Sequence, residues 1–179
     1  MARLHFVKKA RKAIPDAHIE IGDSYYWWKF AYRAKQVSKT RPRRSALTQS
    51  EFYGQMYDAE DDLSSALSAA TDKSGLQSAR DEAVSMLRDI ADEQEERRSN
   101  VEDAFPNGSP TIDLLQSRYD SCSEIADALE AVDLDYDEPE EKDSDDPDSD
   151  EPDDGEDELV QDEFDRACDE LREVDWSYE

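Results

Sequence analysis

The N-terminal part of the fold is decided by an aromatic stretch at residues 24–32, which reads SYYWWKFAY. Aromatic side chains favour the pleated, half-buried surface of a β-strand, so this stretch predicts the strongest strand in the chain. Alternation along a strand divides its side chains between two faces. Tyr26, Trp28, Phe30 and Tyr32 are expected on one face, and Tyr25, Trp27 and Ala31 on the other.

Two shorter strands are predicted beside this one. Residues 5–7 read HFV and residues 36–38 read QVS, and a hairpin turn at Arg33-Ala34 would return the chain along the aromatic strand. The basic segment RPRR at residues 41–44 then breaks the pattern. Residues 1–46 are therefore predicted to form a small antiparallel β unit.

A helical region begins after this unit. Thr48 followed by Glu51 is the pattern of a capping box, and Leu47 and Phe52 flank it as a hydrophobic staple. Later in the chain, Ser109 precedes a proline, which is the pattern of a capping serine with proline at the first helical position. Both signals predict where helices begin.

Apolar residues recur at helical spacing in three segments, interrupted at residues 73–75 and at the turn of residues 104–108. Short connections make neighbouring helices antiparallel, so residues 47–133 are predicted to form an antiparallel helical bundle or coiled coil. The three seams are Phe52, Met56, Ala59, Leu63, Ala66 and Ala70; then Leu76, Ala79, Ala83, Leu87, Ile90 and Gln94; then Ile112, Leu115, Tyr119, Cys122, Ala126 and Leu129.

The end of the chain has a different composition. Residues 134–158 are dominated by Asp, Glu, Ser and Pro, with too little apolar surface to offset the entropy of ordering, so they predict a disordered, self-repelling acidic linker. Residues 159–179 are amphipathic and predict a C-terminal helix that docks onto the chain or onto a partner. The predicted fold class is α+β: a small N-terminal β unit, a helical bundle, an acidic linker and a C-terminal helix.

Charge is strongly segregated along the chain. Residues 1–50 contain twelve Lys and Arg against three Asp and Glu, a net charge of +9, whereas the whole chain carries −27. The residues after position 50 must therefore sum to −36. Residues 1–50, called the head, are thus basic and rich in aromatic residues, and the rest of the chain is acidic. This arrangement predicts that the head binds polyanions and that the acidic part of the same chain competes with them.

The residue content argues against several classes of function. Neither His5 nor His18 has the spacing to a Cys or Ser that nucleophilic catalysis needs. Five glycines give no phosphate-binding loop, and Cys122 and Cys168 cannot hold a metal by themselves. No apolar run reaches the roughly 18 residues of a membrane span, and the basic N-terminus lacks the apolar region of a secretory signal. We expect a reduced, cytoplasmic, non-enzymatic protein that binds no cofactor, metal or membrane.

Several motifs together resemble a known group of proteins. They are GDSYYWWKF at residues 22–30, SKT at 38–40 and LTQSEF at 47–52, followed by PNG at 106–108 and LLQSR at 114–118. They are similar to a family of small uncharacterised proteins from tailed bacteriophages and uncultured prokaryotes. The resemblance covers roughly residues 1–134. It implies a phage-type accessory protein, located in the host cytoplasm if phage-encoded.

The same resemblance bears on a metal site. Members of that family often carry paired cysteines before and after the aromatic strand, as in a zinc ribbon. Residues 1–50 contain no cysteine, so the resemblance implies a β unit that has lost its zinc. Such a unit must rely on aromatic packing or on docking to the helices for its stability.

The basic and aromatic residues of the head are the predicted nucleic-acid contacts, because Lys and Arg neutralise phosphates and aromatic rings stack on bases. Two other interpretations remain open. The aromatic rings can be the core of a tiny unit, and the basic residues can be a solvated or self-pairing surface. The predicted contacts are Lys8, Lys9, Arg11, Lys12, Trp27, Lys29, Arg41, Arg43 and Arg44.

The acidic tail has three interpretations: a solubilising linker, a competitor for the basic head, or a mimic of nucleic acid toward a basic partner. Our first hypothesis is that the head binds nucleic acid non-specifically and that the tail competes for it. The alternative is a protein-interaction module or DNA-mimic-like inhibitor that binds a basic host or virion protein through its acidic helices. Self-association through the same helices is a further expectation, because their Ala-rich core is thin.

Overall fold

A computed structural model describes residues 1–136 and 156–178, with the backbone alone described for residues 156–160. A small antiparallel sheet at the N-terminus is followed by helices, so the predicted α+β fold class is confirmed. The chain separates into two compact units, Met1–Ala59 and Glu60–Glu179, here called the first unit and the second unit. The predicted boundary lay earlier, after residue 46, because sequence pattern alone assigned the first turns of the first helix to the bundle.

The first unit contains a three-stranded antiparallel sheet in the order β1-β2-β3. Its strands are β1 (His5–Val7), β2 (Tyr25–Trp28) and β3 (Gln36–Ser38). The predicted strands at residues 5–7 and 36–38 are therefore confirmed. Across the sheet, His5 and Val37 both lie opposite Trp27, which sets these three side chains side by side on one face.

The aromatic strand is shorter than predicted. It ends at Trp28, and the chain then turns, with the Arg33 amide donating a hydrogen bond to the Phe30 carbonyl over 3.3 Å. Phe30 and Tyr32 therefore do not continue the strand face of Trp28. A two-residue hairpin at Arg33-Ala34 would need positive φ at one or both of these residues, which neither favours, so the reversal extends over residues 29–35.

The connection from β3 to the first α-helix passes through a short 3-10 helix, Ser45–Leu47. The Leu47 carbonyl accepts a hydrogen bond from the Ala2 amide over 2.6 Å, so the chain has returned to the end of the sheet where β1 begins. The cap predicted at Thr48 is wrong. Helix α1 (Glu51–Ala69) begins two residues later, and the Ser50 hydroxyl accepts from the Tyr53 amide over 3.4 Å.

The described helices of the second unit, beyond the end of α1, are α2 (Lys73–Ala104), α3 (Pro110–Glu130) and α4 (Glu156–Glu173). Helices α2 and α3 form an antiparallel hairpin, and all six residues of the second predicted seam are buried along it. The capping role of Ser109 is confirmed, since its hydroxyl accepts from the Thr111 amide over 3.3 Å.

Two details of the predicted helices are wrong. The interruption between the first two lies at residues 70–72, because the Asp72 carboxylate caps α2 by accepting from the Gly75 amide over 2.6 Å. In α1 the buried residues end with Leu67, whereas Ala66 and Ala70 are partly exposed. Leu67 lies four residues after Leu63, and burying its side chain removes more apolar surface from water than burying the smaller side chain of Ala66 would.

The predicted linker, residues 134–158, lies mostly outside the described residues. Its first three residues and the backbone of its last three are described, and Leu134 and Tyr136 are buried. The Lys73 ammonium donates to the Tyr136 carbonyl over 2.6 Å and to the Asp135 carboxylate over 3.3 Å, so this part is packed against the start of α2. The C-terminal helix begins at Glu156, three residues before its predicted start, and buries Ala167, Cys168 and Leu171.

Candidate nucleic-acid interface

The basic residues of the first unit lie mainly at two ends of its sheet. One end, called the Lys8 end, is formed where β1 and β3 finish and β2 starts. The other end is formed by residues 29–35, called the β2–β3 loop. With strands of three or four residues at about 3.3 Å per residue, the two ends are separated by about 10 Å. The first unit contains twelve Lys and Arg against five Asp and Glu, a net charge of +7.

Five of the predicted contacts gather at the Lys8 end. Hydrogen bonds place residues 8–12 at this end, because the Ala10 amide donates to the Asp23 carbonyl over 2.7 Å and the Gly22 amide donates to the Ala10 carbonyl over 2.9 Å. These bonds hold the chain after β1 beside the start of β2. Arg41 follows the end of β3 by three residues. The five residues are exposed, and no described residue forms an ion pair with any of them: Lys8, Lys9, Arg11, Lys12 and Arg41.

One further cation at this end is neutralised. The Lys39 ammonium donates to the Asp23 carboxylate over 2.8 Å, and the Asp23 carboxylate also accepts from the Glu20 amide over 3.1 Å. These hydrogen bonds, first the one from Lys39, lower the pKa of Asp23, and the same bond raises the pKa of Lys39. Lys39 is therefore less available to a phosphate than its exposed neighbours.

Two predicted contacts lie instead on the connection between the sheet and α1. The Arg43 guanidinium is 3.7 Å from the Asp58 carboxylate, and the Arg44 guanidinium lies 5.1 Å from the centre of the Tyr57 ring. Both arginines thus have partners within the first unit. A polyanion would have to displace those contacts, which is the self-pairing interpretation of this basic segment.

Trp27, the predicted stacking residue, has a ring that is already covered. His5 from β1 stacks on it with ring centres 4.0 Å apart and planes 8° from parallel. The Lys35 ammonium lies 4.3 Å from the ring centre and 5.8 Å from that of Tyr25. The indole of Trp27 is therefore already in contact with His5 from β1 and with Lys35 from the β2–β3 loop. Trp28, by contrast, is a core residue with 6% exposure.

The β2–β3 loop carries candidate contact residues that sequence reasoning missed. It contains Lys29, Arg33 and Lys35, and all three are exposed. Between the first two lies Tyr32, which is fully exposed (105% relative accessibility) and has a left-handed backbone with φ of +61°. Only Lys29 was predicted as a contact. The signal was present as three cations within the segment KFAYRAK, but treating Tyr32 as a strand residue concealed it.

Possible metal ligands and thiols are the remaining candidates for site chemistry. No group of three or more His, Cys, Asp or Glu there is arranged to hold a metal ion. Cys122 and Cys168 are buried and form no disulfide, and burial raises the pKa of Cys122 to about 11. Among the described helices, none is both long and apolar enough to span a membrane.

Comparison of the chain with protein-family models, with curated proteins and with solved structures finds no match in any of the three. The resemblance of the YYWW and LTQSEF motifs to phage proteins therefore remains a prediction.

Proposed function

We propose that the first unit binds nucleic acid non-specifically through phosphate contacts, and that the acidic part of the chain weakens this binding. The observation that carries the proposal is the Lys8 end. Its five exposed cations have no ion-pair partner among the described residues, in a unit of net charge +7. Cations of this kind release condensed counterions when they contact phosphates, which supplies the affinity of non-specific binding.

The test is the salt dependence of oligonucleotide binding, measured by fluorescence anisotropy on the full chain. Each phosphate contact contributes about 0.7 to 0.9 to the slope of log K against log salt. A Lys8→Gln, Lys9→Gln double variant should therefore lower the magnitude of the slope by about 1.4 to 1.8.

The matched control removes two charges from α4. Arg166 and Arg172 pair with carboxylates of their own helix, so Arg166→Gln with Arg172→Gln should leave the slope unchanged. An absence of oligonucleotide binding at low salt, or an equal loss in both double variants, would contradict the proposal.

The competing role of the acidic tail needs a test of its own. Residues 137–155 contain twelve Asp and Glu and one Lys. Replacing four of these carboxylates by amides should strengthen oligonucleotide binding. The control replaces four exposed carboxylates of α2, which alters the net charge of the chain equally and should leave binding unchanged at physiological salt. Those four are Glu82, Asp89, Asp92 and Glu96.

A second candidate function is docking of a basic protein onto the second unit. Phe105, directly after α2, and Leu114, in the second turn of α3, are both exposed, and acidic residues flank them in sequence at Asp103 and Asp113. Exposed apolar side chains beside acidic residues suit a cationic amphipathic segment of a partner. Phe105→Ser should then weaken binding of a cationic amphipathic peptide and leave oligonucleotide binding intact; the reverse result would exclude this function.

A further inference from the structure

We propose that Tyr32, at the tip of the β2–β3 loop, is a base-stacking residue, and that the ligand of the first unit is therefore a nucleic acid with unpaired bases. This inference rests on the proposed nucleic-acid binding and adds to it the class of ligand and a second contact site. It assigns to Tyr32 the role that the sequence suggested for Trp27.

The backbone of Tyr32 is the first reason. It lies in the left-handed region, with φ of +61°, at the third position of the turn from Phe30 to Arg33. Turns with positive φ at this position ordinarily use Gly or Asn, because a larger residue is strained there. Strained residues of this kind cluster at ligand-binding sites. A tyrosine that costs stability and packs against nothing is better explained by a contact outside the chain.

The side chain of Tyr32 is the second reason. Its ring is fully exposed, and it forms no hydrogen bond or ring contact with any described residue. A large aromatic side chain normally gains stability by burying its surface. Both faces of this ring are open to a base, whereas the Trp27 indole is already in contact with His5 and Lys35.

The charge around Tyr32 identifies the ligand. Lys29 and Arg33 flank the turn, both exposed and without an ion-pair partner among the described residues, and residues 29–35 contain no acidic residue. An open aromatic ring between two cations fits a stacked base with phosphates on either side of it. Duplex bases are already stacked on one another and are closed to such a ring. The arrangement therefore favours a single strand or an unpaired loop.

The experiment compares binding of a 20-nucleotide oligothymidylate and of a 20-base-pair duplex by the full chain at low salt. Tyr32→Asn removes the ring but keeps a residue that accepts positive φ. Stacking on one base should be lost, which lowers single-strand affinity by about 5- to 150-fold and changes duplex affinity much less. Tyr32→Phe keeps the ring and should bind both ligands as the natural sequence does.

A stability measurement separates the proposed role from a structural one. Tyr32→Gly relieves the left-handed strain, so its melting temperature should equal or exceed that of the natural sequence by up to about 3 °C, while single-strand affinity falls. A ring that held the loop together would instead give a lower melting temperature and equal losses for both ligands, which would overturn the inference.

The remaining outcomes distinguish the two proposals. If neither oligonucleotide binds the natural sequence, both fail. If both bind and Tyr32→Asn has no effect, or has the same effect on each, only the stacking inference fails. Vesicles containing phosphatidylserine test the competing ligand class, since an exposed tyrosine among cations can also meet an anionic membrane. Loss of vesicle binding in Tyr32→Asn with unchanged single-strand binding would overturn the inference in favour of lipid.

Discussion

Replacing the buried glutamine of α2 should stabilise the second unit. Gln94 has 0% exposure, and neither polar atom of its side chain has a hydrogen-bond partner among the described residues. Arg88 on α2 pairs with Asp127 on α3. Because the two helices are antiparallel, Gln94, six residues after Arg88, lies at about the level of Cys122, which is buried. Gln94→Met keeps an unbranched side chain of similar length and helix propensity while removing the two unpaired polar atoms.

The size of the gain follows from the cost of an unpaired buried group. Leaving a polar group buried without a partner costs about 1–3 kcal/mol. Gln94→Met should therefore raise the free energy of unfolding by about 1–3 kcal/mol. At about 2–4 °C per kcal/mol for a chain of this size, the melting temperature should rise by about 2–12 °C.

The assay is urea unfolding followed by circular dichroism, with scanning calorimetry for the melting temperature. An unchanged m-value would show that the denatured state is the same in both proteins. The control is Gln116→Met on α3, where the amide donates to Asp120 over 2.7 Å and its loss should cost up to about 0.5 kcal/mol. If Gln94→Met lowers stability by as much as a buried hydrogen bond is worth, Gln94 has a partner and the reasoning is wrong.

Three further predictions concern the thiols, one ion pair and the helical core. Cys122 and Cys168 should resist thiol reagents at pH 8 and react once urea unfolds the chain. Burial raises the pKa of Cys122 from 9.0 to about 11, so the free energy of unfolding should also fall between pH 9 and 11, where the thiol ionises only in the unfolded chain. In Lys39→Gln, the pKa of Asp23 should rise toward its ordinary value in a carboxyl NMR titration. In the natural sequence, the pair stabilises the native state at pH values above the pKa that Asp23 has in the unfolded chain. This stabilisation is lost as the pH falls through the lowered pKa of Asp23 in the native state. Leu87→Ala should lower the free energy of unfolding by about 2–5 kcal/mol in urea titration, since Leu87 is wholly buried; a loss below 1 kcal/mol would contradict its core position.

Helical seams and strand positions were predictable because they follow from residue periodicity. Every residue from Leu76 to Gln94 in the second seam is buried, as the spacing required. The start of α1 was not predictable in the same way. Thr48 and Ser50 both carry a hydroxyl within reach of a first turn, and the short 3-10 helix that holds Leu47 beside Ala2 decides between them. A contact between distant residues of this kind leaves no mark on local sequence.

The candidate site was predictable in composition but not in arrangement. Sequence gives the number of cations in the first unit, but it cannot say that Lys39 is neutralised by Asp23, sixteen residues away. Nor does periodicity show where a strand ends. The end of β2 at Trp28 is what turns Tyr32 from a strand residue into the tip of a loop. That single change moves the proposed stacking contact from the sheet to the loop.

The charge-matched variants of the acidic tail separate two physical effects that both oppose nucleic-acid binding. A chain of net charge −27 repels phosphates from any distance at which its field is unscreened. At physiological ionic strength the Debye length is about 8 Å, so carboxylates beyond that range contribute little. Competition by direct contact is screened less, because the acidic segment would occupy the same cations that phosphates need. At low salt, either set of four substitutions should therefore strengthen binding. At physiological salt, competition predicts that only the substitutions within residues 137–155 still do so, whereas simple repulsion predicts that the benefit of both sets disappears together.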